Sequence, residues 1–260
     1  MDEFTPSHEL GLQFHEWVAS HEGWLTESET AMRADEFARQ LTLEQVIRIE
    51  KRVGDGLRTL QEFRVHHDDV IRSPGGAARN LAHVLARMAG RVIVIEVNFD
   101  RLVEQLCRVP TRVFFSDAHF ETAAEYVRQY GAGTETAIPV LKLHGSIEEP
   151  DTCVVSDEQM QQGVGQGKLN SLRAVLQEPP LWIYVGASMR DRDLRYFYRS
   201  EEFAKGVEEL WVSPYLDVSV ADVARDRAAL WEKPERAWIS DHLVTETADA
   251  FFQDLRDELP

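Results

Sequence analysis

From Arg91 onward the chain repeats one unit: a short, almost wholly apolar run, then a stretch with helical spacing. "RVIVIEVN" is a β-branched run of strand length, and "FDRLVEQLCR" after it carries Leu102 and Leu106 on one helical face. "TRVFFS", "AIPVLKLHG", "LWIYVGAS", "EELWVSP" and "RAWIS" read as further strands. "FETAAEYVRQY", "LNSLRAVLQ", "DRDLRYFYRSEEF" and "TETADAFFQDLRDEL" read as the helices between and after them. Strands that are apolar over most of their length and alternate with helices predict a parallel sheet covered on both faces. The expected fold class is therefore α/β.

The first third reads differently. "DEFARQLTLEQVIRIEKRV" spaces Phe37, Leu41, Val46, Ile49 and Val53 as a helix does, and Thr42 with Gln45 resembles a capping box. "SPGGAARN" interrupts the chain, and Leu81, Val84, Leu85 and Met88 mark another helix. The expected organisation is one domain over residues 1–260, with a mainly helical segment at 1–90 and a strand–helix core at 91–260.

Composition removes several function classes. The formal net charge is −17, which argues against a general nucleic-acid binder, since neutralising phosphate supplies most of such a protein's affinity. An anionic small ligand remains open, because backbone N–H groups at a helix N-terminus hold phosphate without lysine. No apolar run approaches the roughly 20 residues of a membrane span. "MDEFTPSHEL" is acidic and lacks the basic flank and apolar core of a signal peptide, so the expected location is cytoplasmic. The two cysteines, Cys107 and Cys153, are too few for a four-cysteine zinc site and do not form a disulfide framework. No metal is expected.

In open parallel sheets ligands bind at the carboxyl ends of the strands. Three strand ends carry small or polar residues: "VNFD" with Asn98 and Asp100, "LHGS" with His144 and Gly145, and "VGASMRD" with Gly186, Ser188 and Asp191. If these strands are neighbours, Asn98, His144 and Ser188 converge on one crevice. Each also has an ordinary reading. Asn or Asp after a strand is commonly a helix cap, a histidine there a hydrogen-bonded turn residue, and glycine with serine simple turn chemistry.

Taken in order, "NFDRLVE", "KLHGSI" and "VGASMRDRDL" resemble the sirtuin-like domains of prokaryotic antiviral defence proteins. The resemblance covers roughly residues 80–260. It implies a Rossmann-like, NAD-binding sheet that hydrolyses NAD to nicotinamide and ADP-ribose. By the same resemblance Asn98 is the catalytic asparagine that holds the nicotinamide ribose and helps place water, and His144 is the catalytic histidine. Asp100 is expected on the nicotinamide side, with Gly145 beside the histidine. Gly186 and Ser188 belong to the segment that meets the adenosine ribose, and Asp191 follows as a helix-capping acid. The implied partners are NAD as substrate, and either further copies of the chain or a separately encoded sensor protein.

The residue types suit this chemistry. Breaking the nicotinamide–ribose bond builds positive charge on the sugar, while the departing group is already cationic and needs little acid assistance. A placed nucleophile and a base that titrates near neutrality are what help, and histidine supplies the second.

Two features depart from the family pattern. Residues 1–30 contain only the isolated glycines Gly11 and Gly23, so the glycine-loop strand with which the family begins is expected to be absent. In "EVN", Glu96 stands where threonine or glutamine is usual. Alternation puts Glu96 on the same strand face as Asn98, where a carboxylate near a dinucleotide phosphate would repel it. Without a four-cysteine zinc module the acyl-lysine cleft of the deacetylating sirtuins lacks its second wall, which favours hydrolysis of NAD over deacylation. The competing expectation is a degenerate sirtuin-like domain that binds NAD, ADP-ribose or a partner protein without turnover. A structural subunit of a larger assembly is a third.

Two local signals carry no function. "GVGQGKLNS" fails as a phosphate loop because Leu169 follows Lys168 where Ser or Thr is needed. His66 to Asp69, "HHDD", are neighbours whose side chains point apart.

Overall fold

The computed structural model describes residues 71–154, 159, 162–177, 181–187, 197, 200, 203, 208–214, 224–229 and 235–259. The helical reading of residues 1–70 lies outside them, with its Thr42–Gln45 cap, the expectation about the glycine-loop strand and His66–Asp69, and so do Ser188 and Asp191.

Helix α1 (Gly76–Arg87) follows the Pro-Gly-Gly break and buries Val84 and Leu85. Strand β1 (Val94–Glu96) leads into the short helix α2 (Leu102–Leu106). Strand β2 (Thr111–Phe114), helix α3 (Asp117–Gly131) and strand β3 (Ile138–Lys142) follow. All three strands are parallel, in the order β1-β3-β2, so the last strand made is the central one. Every residue of β3 is buried, which is why its sequence shows no polar alternation.

Alternation along β3 sorts its side chains onto two cores. Ile138 and Val140 pack with Leu85 of α1 and Val103 of α2. Leu141 and Leu143 pack with Phe120, Ala123 and Val127 of α3. In the same way Val94 joins the first core, and Ile95 and Val97 the second. Lys142 and Glu96 therefore occupy strand positions that turn toward α1 and α2.

Helix α4 (Gln166–Val175) packs on α3 and begins three residues before the expected "LNSLRAVLQ", so Gly165 and the residues just before it are the helix's lead-in. Strands β4 (Leu181–Val185) and β5 (Glu208–Val212) pair in parallel and join β6 (Leu243–Val244) in the order β4-β5-β6. Tyr184 stacks on Trp211 at 4.0 Å, and Trp182 meets Phe203 edge-on at 4.8 Å. These aromatics belong to the same buried cluster as Phe114, Leu141 and Leu143, so one core serves both three-stranded sheets.

One expected strand is a helix. "RAWIS" lies within α5 (Glu235–His242). Its aromatic and β-branched residues suggested a strand, but Trp238 and His242 are one helical turn apart and stack at 5.0 Å, both buried. The final pairing with β5 is made by Leu243–Val244 instead. "DRDLRYFYRSEEF" lies largely outside the described residues.

Helix α6 (Ala248–Glu258) closes the chain against α1. Arg87 donates to the carbonyls of Arg256 and Leu259 at 2.6 and 2.8 Å, satisfying orphan acceptors at the end of α6. Arg256 and Asp249 of α6 both hydrogen-bond Asn80. No described helix is long and apolar enough to cross a membrane.

Candidate active site

Glu96 pairs with Lys142 in the parallel register at the carboxyl ends of the two strands, and the loop carrying Asn98 and the turn carrying His144 leave from there. Backbone bonds extend the match beyond the strands. Leu143 N–H donates to the Glu96 carbonyl at 2.9 Å, and Ile147 N–H to the Phe99 carbonyl at 3.0 Å. The loop carrying Asn98 is thus laid along the turn carrying His144. Asn98 is exposed at this edge, whereas His144 is only 3 % exposed.

The turn after His144 is closely built. Gly145 has φ +90° and its N–H donates to the Lys142 carbonyl at 3.2 Å. The Thr152 hydroxyl accepts from Ser146 N–H at 3.1 Å and donates to the Glu149 carbonyl at 2.6 Å. Val154 N–H returns to the His144 carbonyl at 2.9 Å. A Cβ at Gly145 would run into the Thr152 carbonyl and stand 2.8 Å from the Cys153 nitrogen. Gly145→Ala should therefore cost roughly 1–3 kcal/mol from backbone strain alone, with the clash in addition. Urea unfolding reads this, and an unchanged midpoint would mean the turn simply relaxes.

The Asp100 Oδ1 accepts from Leu102 N–H at 3.0 Å, an Asx-type turn that leads into α2. Arg101 beside it forms an ion pair with Glu148 of the histidine turn.

Beneath the strand ends lies a charged cluster that the sequence reading assigned to no role. Lys142 is fully buried, its ammonium 3.0 Å from Glu96 and 3.3 Å from Glu104 of α2, and it also donates to the Asp100 carbonyl. The anticipated repulsion between Glu96 and a dinucleotide phosphate is thereby corrected: this carboxylate is turned to a lysine. The available signal was a lysine and a glutamate on the same-face positions of two apolar strands, visible as a pair only once the register is known.

Burial pushes the Glu96 carboxyl up to about 7, against the opposing pull of Lys142, and Glu104 and Asp100 raise it further. The sign for stability follows. The folded state holds this proton more tightly than the unfolded chain, so the stabilisation is complete below the ordinary value of 4.5 and is lost as pH rises through about 7. Glu96→Gln should remove that loss. Its unfolding free energy relative to the parent should rise by roughly 3 kcal/mol between pH 4.5 and 8. A constant difference across that range would show that Glu96 titrates as an ordinary carboxyl.

The third strand end belongs to the other sheet. Gly186 ends β4 with φ +65°, its N–H donates to the Val212 carbonyl at 3.4 Å, and nothing described lies within 4 Å of where a Cβ would stand. Asn98, Asp100, His144 and Gly145 thus lie in the segments that follow two neighbouring strands, and Gly186 follows a strand of the other sheet. Among the described residues no group of three or more His, Cys, Asp or Glu could hold a metal ion.

A comparison with curated proteins returns no match. A comparison with protein families matches residues 92–234 to the SIR2-like domain, a span that runs from just before β1 to just before α5 and takes in all three strand-end motifs. With more than half of its length matched, the chain belongs to the SIR2-like domain family.

Proposed function

We propose that this domain hydrolyses NAD to nicotinamide and ADP-ribose, with Asn98 and His144 as the reacting pair. The observation that supports the reading is that β1 and β3 are adjacent parallel strands, so that exposed Asn98 and buried His144 both lie just past the same carboxyl edge. Residue types and placement fit a dinucleotide substrate. The Asn98 amide can both donate and accept, as a ribose hydroxyl and a water require. The glycine at the end of β4 leaves room beside it among the described residues.

In this reaction the oxygen of water bonds to the anomeric carbon as the carbon–nitrogen bond breaks. Nicotinamide leaves neutral, having taken the bonding pair, and the proton lost by water passes to His144. Asn98 orients the ribose and the water. The likeness to defence proteins supports an antiviral setting, in which loss of NAD halts the infected cell. It also supports assembly with further copies or a sensor protein.

A second reading draws on the burial of His144, which is 3 % exposed. A base so enclosed suits a domain that binds NAD or ADP-ribose without turning it over. Both readings meet one experiment: the purified protein is given NAD, and nicotinamide release and NAD binding are measured together. Release supports the hydrolase. Binding without release supports the second reading, and neither would overturn both.

A further inference from the structure

We infer that Lys142 is a positioning residue for the reacting pair: its buried ammonium clamps the Asp100 carbonyl and so holds the Asn98 loop opposite His144. The inference rests on the reading of Asn98 and His144 just given, and it deepens that reading.

The geometry is specific to this task. Lys142 is the last residue of β3, two before His144, and its side chain crosses to the neighbouring strand's loop. There it meets the carbonyl of Asp100, two residues after Asn98. Glu96, two residues before Asn98, and Glu104, on the helix after it, fix the ammonium from either side at 3.0 and 3.3 Å. One cation thus ties together β1, the loop 97–101 and α2. The backbone bond from Ile147 to Phe99 secures the same loop from the histidine turn.

As a device for stability alone the cluster is poor. Burying charges costs several kcal/mol per ion before attraction is counted, and well-packed apolar residues often do as well or better. Here a single lysine faces two carboxylates, and Glu104 Oε2 is buried with no hydrogen-bond partner. What apolar residues would not supply is a fixed donor for the Asp100 carbonyl. The clamp is the function that distinguishes the charged cluster from a greasy one.

The test separates clamp from charge balance. Replacing Glu96, Glu104 and Lys142 together by methionine removes every charge of the cluster with similar, adaptable volume. This triple variant should keep the parent's melting temperature within a few degrees. Its kcat for nicotinamide release should nevertheless fall about 10²-fold, the cost of misplacing a reacting group by about an ångström. Amide exchange at Phe99 to Leu102 should rise while that of α3 and β3 stays unchanged. A stable triple variant with the parent's kcat and the parent's exchange at 99–102 would overturn the inference.

The exchange measurement needs no turnover. If the parent itself releases no nicotinamide, the hydrolase reading fails, while unchanged loop exchange in the triple variant would sink the clamp by itself. Should the triple variant fold poorly, the Glu96→Gln variant keeps Glu104 as the counter-charge of Lys142 and keeps the ammonium's hold on Asp100. It should then retain the parent's loop exchange and kcat, and a 10²-fold loss there would equally count against the lysine.

Discussion

Lys142→Met should lower the free energy of unfolding by about 3–5 kcal/mol, a large share of the roughly 5–15 kcal/mol typical of a folded domain. The loss comes from the partners left behind rather than from the lysine itself. Glu96 and Glu104 would remain, mostly shielded from water, beside each other with no cation between them, and the Asp100 carbonyl would lose its donor. Urea unfolding at pH 8, where Glu96 is mostly ionised, reads the effect at its largest. At pH 5 the penalty should shrink, because Glu96 is then protonated in the folded state. A loss below about 1 kcal/mol at both pH values would place these carboxylates in water and remove the buried cluster from the account.

His144→Ala should abolish nicotinamide release by a factor of about 10²–10⁴, equal to roughly 3–5 kcal/mol of transition-state stabilisation. Since His144 is buried, alanine also leaves a cavity, and a drop in activity could follow from a loosened turn. His144→Gln fills most of that space and keeps a hydrogen-bonding group, yet cannot take a proton. It should fold like the parent and be nearly as inactive as the alanine variant. Equal release from parent and both variants would assign the activity to another residue. An active glutamine variant beside an inactive alanine one would make His144 a packing residue of the turn.

The strand–helix core was legible because its signal is strong. Buried on both faces, β3 reads as a nearly unbroken apolar run, and β1, β4 and β5 read as β-branched or aromatic runs although Leu181 and Ile183 of β4 are exposed. "RAWIS" failed for a related reason. Trp238 and Ile239 are as apolar as strand residues, and only their relation to His242, one turn on, reveals the helix. Asn98 and His144 were legible from residue type at a strand end. That the two strand ends lie side by side stayed conditional there, because it depends on β1 and β3 being neighbours although β2 separates them in sequence. The same holds for Glu96 and Lys142. Each looked like an isolated charge in an apolar strand, and a long-range pairing gave them a common meaning. Asp100 was read as a ligand contact, and its Oδ1 also accepts from Leu102 N–H at the start of α2.

The central place of β3 also bears on how the chain comes off the ribosome. Among the described residues β1 and β2 pair only with β3, so neither has a partner until Ile138–Lys142 has emerged. Until then two nascent apolar strands wait with open edges, the condition in which chains pair with the wrong neighbour. Once β3 arrives, both pairings close together, and the segment that closes them also delivers His144. Synthesis halted before residue 138 would leave a sticky fragment; synthesis carried a few residues past it closes both described pairings and brings out His144 in the same step.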